Sequence, residues 1–489
     1  MSPIILLIFL FVYFGILVSV SYFTSRQTAD NATFFVANKN SKWYMVAFGM
    51  IGVALSGVTF ISVPGAVGVS NFSYFQFVLG NALGFLVIAY VLLPLYYRLN
   101  LTSIYTYLES RLGHKSYQTG AIIFLVSRTI GSAFRLYLVA IILQKFIFDA
   151  WNVPFGITVG GCLLLIWLYT NKGGLKTIII TDMFQTFCLV LAVVLSIYFM
   201  ADGLGISVME AFERVKDSTY SQVVVWEDLL GDRNHFWKHL IGGAFVTIAM
   251  TGLDQDLMQK NLSMKTIGEA QKNMLTFTGI FVVINLFFLA VGALLYIYVA
   301  EKGIDVSALP TADYLYPEIA LNHLSLAAGA IFMMGLTAAT FATTDSALTA
   351  LTTSYCVDFL GFNKAEDPNA KALVRKRNIV HFAFSVLMLV VILVFRVLND
   401  DSVVTAIFTA ASYTYGPLLG LFAFGILTRR NVNDNLVPYI CLLSPVIWYL
   451  LNTYYLVPHT DYRIGFELIV YNGLTTFLLM WVTSPGKYR

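Results

Sequence analysis

Charged residues are scarce in this sequence of 489 residues, and their scarcity excludes most kinds of soluble protein. Asp, Glu, Lys and Arg together make up 12% of the chain, whereas hydrophobic residues make up 58%. Soluble domains carry about 25% charged residues, so this chain belongs in a lipid bilayer. The formal net charge is only +3, which gives no basic surface for nucleic acid.

Cysteine and histidine are also few, and they do not cluster. The four cysteines fall in separate apolar segments, which predicts buried free thiols and excludes a disulfide framework. The six histidines are scattered along the chain, so the clustered nucleophile, base or metal ligands of a membrane enzyme are missing. We therefore expect neither an enzyme nor an organic cofactor.

Long apolar runs are abundant. We predict thirteen membrane-spanning helices, since about 20 apolar residues cross a bilayer. The first run lacks a basic start and a small-residue cleavage pattern, so it is predicted to be a retained helix and not a signal peptide. The predicted spans are 3–23, 43–69, 74–99, 117–148, 154–169, 175–200, 239–258, 274–300, 324–360, 379–398, 403–428, 437–456 and 464–483.

The distribution of Lys and Arg predicts the orientation of these helices. With the N-terminus outside and the C-terminus inside, twenty of the thirty Lys and Arg residues fall in inside loops, among them Lys172, Lys260, Lys364 and Lys487. Cytoplasmic loops retain positive charge, so this orientation is favoured, in a plasma membrane or a bacterial inner membrane. The longest loop, 201–238, is then external, and the capping-box spacing of Ser207 and Glu210 predicts a short helix in it.

Two of the predicted helices are interrupted. The second contains Ser56-Gly57-Val58-Thr59 and then Pro64-Gly65, and the seventh contains Thr251-Gly252 followed by two aspartates. Broken helices expose backbone groups that bind ions and substrates, and breaks at corresponding places in two halves are typical of transporters built from inverted repeats.

Four motifs resemble the sodium:solute symporter family. They occur in the order in which the family has them and extend over most of the chain. They are Thr102-Ser103-Ile104-Tyr105-Thr106-Tyr107-Leu108-Glu109-Ser110-Arg111-Leu112-Gly113, Gly173-Gly174-Leu175-Lys176 leading into Thr181-Asp182-Met183-Phe184-Gln185, Asp254-Gln255-Asp256-Leu257-Met258-Gln259-Lys260, and Tyr415-Gly416-Pro417-Leu418-Leu419-Gly420.

This resemblance implies an all-α membrane protein with the leucine-transporter-type inverted-repeat fold. The whole chain, 1–489, would form one transporter domain. It would consist of a leading helix at 3–23, a first five-helix repeat at 43–200, a second at 239–428 and two trailing helices at 437–483. The resemblance also implies alternating access driven by a sodium gradient, in a protein that functions as a monomer in the lipid bilayer.

The resemblance places a sodium ion between the broken second helix and the ninth helix. Alignment to the family puts Gly52, Leu55, Ala339, Ala342 and Thr343 at the ligand positions. Ala342 departs from the family, which has a hydroxyl residue there. Sodium prefers oxygen ligands, so the site is weaker unless water, Thr344 or Ser346 supplies one.

Asp182 is a further predicted sodium ligand. It lies deep in an apolar helix, where a carboxylate must be neutralised by a proton or a cation. The matching aspartate contributes to a second sodium site or to gating in many family members.

The same alignment predicts the substrate site. It points Ser56, Thr59, Gln76, Thr247 and either Tyr413 or Thr414 towards a central cavity. Phe60 and Phe77 are candidate gate or stacking residues, since each lies close to the break in the second helix.

Arg128 and Arg135 lie seven residues apart in the fourth helix, on one stripe of its surface. Placing an arginine near the centre of a membrane-spanning helix costs at least about 2.5 kcal/mol, so each of these two needs a polar partner inside the protein. In the sialic acid branch of the family, an arginine of this helix binds the substrate carboxylate, and its position aligns nearest Gly131. Alternatively, Asp345 in the ninth helix neutralises one arginine in a structural ion pair.

The sequence therefore predicts a sodium-coupled symporter that imports a small polar solute. A sugar acid such as sialic acid is favoured, because a guanidinium binds a carboxylate through two charge-assisted hydrogen bonds. A neutral monosaccharide or polyol is the alternative substrate, and proton coupling through Asp182 and Asp345 is the alternative energy source.

Overall fold

A computed structural model describes residues 3–25, 31–171, 174–307, 309–362, 365, 371–398 and 403–485. Helices and the turns between them make up this part of the chain, and no strand occurs in it. Lys172, Lys364 and Lys487, which were assigned to inside loops, lie outside the described residues.

The described chain contains twenty-one α-helices, several extended by a wider π-helical turn. They are α1 Pro3–Ser25, α2 Asn31–Val36, α3 Trp43–Ala54, α4 Gly57–Ser70, α5 Tyr74–Val87, α6 Leu93–Arg98, α7 Thr106–Arg111, α8 His114–Phe146, α9 Phe155–Thr170, α10 Gly174–Leu204, α11 Val208–Asp217, α12 Phe236–Thr247, α13 Gln255–Leu262, α14 Ile267–Lys302, α15 Leu315–Glu318, α16 Leu326–Ser354, α17 Lys371–Leu398, α18 Val403–Leu427, α19 Val437–Leu451, α20 Val457–His459 and α21 Leu468–Val482.

Helices occupy every one of the predicted apolar runs. Within the described residues, nine continuous helical stretches are long and apolar enough to cross a membrane, and α3, α9 and α21 are shorter apolar helices. The longest stretch, Gly57–Arg98, contains a tight turn, because Asn71 adopts a positive φ of 50° between α4 and α5. The structure thus shows an all-helical membrane protein.

Burial divides the helices into a centre and a periphery. Nearly every residue in the second half of α16 is buried, and α16 packs along α10, which in turn packs on α3. By contrast, α1, α17 and α19 are mostly exposed although they are apolar, with residues such as Phe11, Val397 and Leu442 more than 60% exposed. Exposed apolar surface of this extent is typical of contact with lipid, so α16 lies at the centre of the protein.

Both predicted helix breaks are present. Helix α3 ends at Ala54 and α4 begins at Gly57, with the backbone of Ser56 extended between them. The seventh predicted helix consists of α12 with a π-helical turn to Gly252, followed by α13 from Gln255. The predicted external helix is α11, and the Ser207 hydroxyl caps it by accepting a hydrogen bond from the N–H of Glu210.

Candidate functional site

The end of α3 offers backbone oxygens to the interior. The N–H of Leu55 donates to the carbonyl of Ile51, and the backbone then turns away from the helix, so the carbonyls that follow Ile51 have no partner within α3. The C-terminal end of a helix also carries partial negative charge, which favours a cation. This end is buried, since Gly52, Val53 and Leu55 are shielded from solvent.

Helix α16 meets this end of α3 through Thr343. The Thr343 hydroxyl donates to the carbonyl of Ala339 at 2.9 Å and lies 3.4 Å from the carbonyl of Val53. The predicted sodium ligands Ala339 and Thr343 are therefore next to Gly52 and Leu55, which flank Val53. Ala342 is fully buried and adds only a methyl group. The alignment did not select Val53, although its carbonyl is the oxygen of α3 that lies 3.4 Å from the Thr343 hydroxyl.

Asp182 lies close to the same end of α3 but has a different partner from the one expected. The Lys260 ammonium donates to one carboxylate oxygen at 2.6 Å, and both side chains are almost completely buried. The assignment of Lys260 to an inside loop is therefore wrong. The apolar run ends at Met258, which suggested a loop, but the ion pair with Asp182 holds the ammonium inside the protein.

Asp345 is also buried, and it accepts a hydrogen bond from the Tyr169 hydroxyl at 2.7 Å. The expected ion pair between Asp345 and an arginine is not the one that forms. Arg128 instead pairs with Asp256 and lies 3.8 Å from Asp254, both in the break of the seventh helix. These two aspartates lie on the α8 side of the break, whereas Asp345 faces α9 through Tyr169.

Further hydrogen bonds fix the carboxylates that hold Arg128. Asp256 accepts from the Ser346 hydroxyl, and Asp254 accepts from the Tyr415 hydroxyl at 2.5 Å. The N–H of Asp256 also donates to the side chain of Asp254 at 2.9 Å. Arg128 is thus held by carboxylates that are themselves fixed by hydrogen bonds from α16 and α18.

A central cavity opens beside this cluster. The side of the cavity nearest the break in the second helix contains Ser56 and Thr59. Both arginines of α8, Thr247 of α12 and Phe77 of α5 also line the cavity, as predicted. Aromatic and apolar side chains complete the wall, in particular those of Tyr74, Phe85, Phe281 and Phe408. Sequence reasoning missed these four residues, although Phe85 lies eight residues after Phe77 and so on the same face of its helix.

Arg128 pairs with Asp256, whereas Arg135 makes no hydrogen bond or salt bridge with the described residues, although Asp254 and Asp256 lie near enough to act on its charge. Its guanidinium bends back along α8, so that one terminal nitrogen lies 3.7 Å from where a side chain on Gly131 would begin. Helical side chains point towards the N-terminus of their helix, and the glycine leaves space for this one. Arg135 therefore presents its charge to the cavity near the position that the family resemblance indicated.

Three predicted substrate residues do not line the cavity. Gln76 is fully buried and uses its amide to hold the long loop 201–238, by donating to the carbonyl of Asn234 and accepting from the N–H of Val225. Tyr413 lines a separate cavity with Arg233 and His239, and the Thr414 hydroxyl bonds to the carbonyl one turn before it. Gln76 points away from the cavity, whereas its neighbour Phe77 in α5 lines it.

The two predicted gate residues lie in different surroundings. The Phe77 ring packs against Phe408 and Phe466, with centroids 5.3 and 4.5 Å apart, so it belongs to an aromatic cluster in the wall of the cavity. Phe60 is packed among Phe288, Tyr316 and Phe332 instead, away from the cavity lining. Of these two residues, Phe77 lines the cavity and Phe60 does not.

Comparison with known proteins identifies the class. The model of the "Sodium:solute symporter family" matches residues 34–435, so this chain belongs to that family. The chain is therefore a membrane transporter that couples solute uptake to sodium, and not an enzyme.

Three curated proteins are similar in sequence to this chain. The chain is 23% identical to the sodium/sialic acid symporter NanT of Aliivibrio fischeri, covering 90% of this chain and 86% of that protein. It is also 23% identical to the sodium/sialic acid symporter SiaT of Proteus mirabilis, covering 84% and 82%. The sodium-coupled monocarboxylate transporter 2 of Danio rerio is 26% identical, and the match covers 82% of this chain and 64% of that protein.

Solved structures show the same fold. The substrate-bound, outward-open structure of a Na⁺-coupled sialic acid symporter matches with a TM-score of 0.82 at 20% identity and covers 99% of both chains. A nucleobase-cation-symport-1 family transporter, Mhp1, matches with a TM-score of 0.53 at 14% identity, covering 94% of this chain and 96% of that chain.

Proposed function

We propose that this protein imports a small carboxylate-bearing, sugar-like solute such as sialic acid together with sodium. The observation that carries the proposal is the contrast between the two arginines of α8. Arg128 pairs with Asp256 and lies 3.8 Å from Asp254, whereas Arg135 lines the cavity without a hydrogen bond or salt bridge to the described residues. A guanidinium inside a membrane protein needs a polar partner, so Arg135 is suited to an anionic substrate.

The geometry of a guanidinium favours a carboxylate over other polar groups. Its planar fork donates two parallel hydrogen bonds to the two carboxylate oxygens. The hydroxyls of Ser56, Thr59 and Thr247 also line the cavity, and they provide donors and acceptors for a polyhydroxylated ring. Tyr74 and Phe77 supply the apolar faces against which such a ring packs. A neutral monosaccharide would leave Arg135 unpaired.

The coupling ion, in this proposal, binds where α16 meets the end of α3. Carbonyls of Gly52, Val53 or Leu55 would face the carbonyl of Ala339 and the hydroxyl of Thr343 across the site. Support comes from the 3.4 Å approach of Thr343 to Val53, which brings oxygens from both helices together. Asp182 remains the predicted position for a second ion.

The proposed architecture has thirteen spans, with the N-terminus outside, the C-terminus inside and the two repeats at 43–200 and 239–428. Support comes from the helix breaks, which fall in the first helix of each proposed repeat. In this orientation Phe77 covers the external end of the cavity. The same fold would function as a monomer in the bilayer.

Transport assays with Arg135→Gln test the proposal. We expect sodium-driven uptake of labelled sialic acid into proteoliposomes, with a KM about ten- to a hundredfold higher in the variant, since a charge-assisted pair contributes about 1.5–3 kcal/mol. Arg396→Gln is the matched control. Arg396 is also an arginine within an apolar helix, but it stacks on Phe155 outside the cavity, so its KM should not change.

Competition experiments separate the substrate classes. Sialic acid should compete with its own uptake in the parent protein, whereas glucose and mannitol should not. Inhibition by pyruvate alone would move the assignment to a short monocarboxylate. Uptake of a neutral sugar that Arg135→Gln leaves unchanged would contradict the carboxylate assignment, and uptake driven by a proton gradient without sodium would contradict sodium coupling.

A further inference from the structure

A groove separate from the central cavity lies between the end of α6 and the end of α18. Its volume is about 490 Å³, and no acidic side chain lines it within the part of the chain that the structure describes. Two arginines line it, Arg98 in the last turn of α6 and Arg111 in the last turn of α7. The groove is therefore positively charged.

One wall of the groove is apolar and faces the lipid. Val91, Leu95 and Arg98 are four and three residues apart, so they lie along one face of the helical stretch that ends at Arg98. Val91 is 46% exposed, as expected of a side chain that contacts hydrocarbon. Another face of the same helix is turned inward, where the Tyr96 hydroxyl donates to the carbonyl of Gly252 at 2.8 Å. A hydrocarbon chain can therefore lie along Val91 and Leu95 and end beside Arg98.

The two arginines use their guanidinium groups differently. Arg111 donates hydrogen bonds to the carbonyls of Gly425 and Thr428, so it is held against the end of α18. Arg98 is exposed and makes no hydrogen bond or salt bridge with the described residues. Both guanidiniums lie near enough to the Tyr107 hydroxyl to act on a charge there. Arg98 is therefore open to an anion from outside the protein, and Arg111 adds positive charge nearby.

The groove lies where its helices leave the hydrocarbon of the bilayer. Arg98 is the last residue of the apolar helical stretch Gly57–Arg98, and Thr428 directly follows Leu427, the last residue of α18. Leu427 is 75% exposed although it is apolar, which indicates hydrocarbon on this side of the groove. Lipid headgroups lie at this depth, and basic pockets between membrane helices bind anionic ones. A phosphate group here would reach Arg98 while its acyl chains stayed in the hydrocarbon.

We propose that this groove is a binding site for one anionic phospholipid, with its phosphate on Arg98 and one acyl chain along Val91 and Leu95. A guanidinium suits a phosphate because its planar fork donates two parallel hydrogen bonds. Residues 99–105 join α6 to α7, and the side chain of Gln255 in α13 is hydrogen-bonded to this segment. A lipid that bridges α6 and α18 would therefore stabilise this end of the protein, whichever solute is transported.

Lipid binding to the purified full-length protein tests the inference without a substrate. After native lipid is removed in detergent, one molecule of dioleoylphosphatidylglycerol should bind per protein by native mass spectrometry and should raise the temperature of thermal unfolding. Dioleoylphosphatidylcholine has the same acyl chains and no net charge, and it should do neither. Arg98→Gln should weaken phosphatidylglycerol binding about tenfold, because it removes a charge-assisted pair. Arg375→Gln is the matched control, since Arg375 is an exposed arginine of α17 outside the groove, and its affinity should not change.

Inorganic phosphate separates a lipid site from a site for a soluble anion. Phosphate has no acyl chain for the apolar wall, so it should not raise the temperature of thermal unfolding at the concentration at which phosphatidylglycerol does. Equal stabilisation by phosphate or by phosphatidylcholine would overturn the assignment to an anionic lipid. An equal loss of affinity in Arg98→Gln and Arg375→Gln would mean that the overall positive charge attracts the lipid, and it would overturn the site.

Discussion

Two clusters of side chains in this protein are held together by different kinds of interaction. In one, which we name the aromatic closure, the rings of Phe77, Phe408 and Phe466 pack together with centroids 4.5–5.3 Å apart, and Phe77 and Phe408 line the cavity. In the other, which we name the polar closure, Asp358 accepts hydrogen bonds from Ser103, Ser354 and Tyr117 at 2.6–2.9 Å.

Gln255 belongs to the polar closure as well. Its side chain donates to the carbonyl of Thr102 at 2.8 Å and accepts from the N–H of Ile104 at 3.0 Å, which ties α13 to the segment before α7. Tyr105 adds a bond from its hydroxyl to the carbonyl of Leu253 at 3.0 Å.

This comparison indicates that the two clusters should separate in different ways. Packed rings have no strict direction, so they can slide past one another and lose contact gradually. Hydrogen bonds that share one acceptor must be broken together, and each buried group left without a partner costs about 1–3 kcal/mol. We therefore expect the polar closure to open in one step and the aromatic closure to open in several.

Removing the shared acceptor should have the largest effect on stability. Asp358→Ala leaves the buried hydroxyls of Ser103 and Ser354 without this acceptor and Tyr117 with only the backbone carbonyl of residue 358, at 3.3 Å. We therefore expect a loss of about 3 kcal/mol in the free energy of unfolding. Thermal unfolding of the purified protein in detergent measures this loss. Asp358→Asn keeps one acceptor oxygen and should lose clearly less. If both variants lost the same free energy of unfolding, the negative charge of Asp358, and not its role as a shared acceptor, would hold the polar closure together.

Gln255→Leu should have a smaller effect. It removes one donor and one acceptor and leaves two backbone groups unpaired, for an expected loss of about 2 kcal/mol by the same assay. Gln271→Leu is its control. The Gln271 side chain makes a single hydrogen bond, to the carbonyl of Ala89 at 3.1 Å. Gln271→Leu should therefore lower the free energy of unfolding by about half as much as Gln255→Leu. If the control lost as much as Gln255→Leu, the bridge to Thr102 and Ile104 would have no special role.

Phe77→Leu should have the smallest effect, because packing tolerates a change of shape that keeps most of the volume. We expect a loss below about 1.5 kcal/mol by thermal unfolding, although Phe77 is almost fully buried. Phe382→Leu, at a position that is 51% exposed, gives the baseline for the same exchange on the surface. A loss for Phe77→Leu as large as that for Asp358→Ala would remove the distinction between the two closures.

The fold was more predictable than the site, because apolar runs and helix breaks are local properties of a sequence. The break at Ser56 was found because glycine and small polar residues interrupt an apolar run there. The break before Asp254 was found for the same reason. Which helix faces which neighbour depends on rotation about each axis, and a single sequence does not fix that rotation.

The errors in the predicted site arise because the sequence does not fix the rotation of each helix about its axis. Gln76 and Phe77 are adjacent, yet a helix turns about 100° per residue, so only Phe77 faces the cavity. The partners of Arg128 are more than 120 residues away in sequence, and Asp345 was the acid that we predicted for an arginine, whereas the structure places Asp345 against Tyr169. Lys260 resembled a loop residue because the sequence could not show that Asp182 lies beside it.

The buried thiols have a practical consequence. Cys162, Cys188, Cys356 and Cys441 are all unpaired and shielded from solvent. A maleimide dye added to the folded protein should therefore leave them unmodified, so that pairs of engineered surface cysteines can be labelled in the natural background. Fluorescence energy transfer between such pairs would follow the opening of the aromatic closure and of the polar closure in single molecules. The four native cysteines would not have to be replaced first.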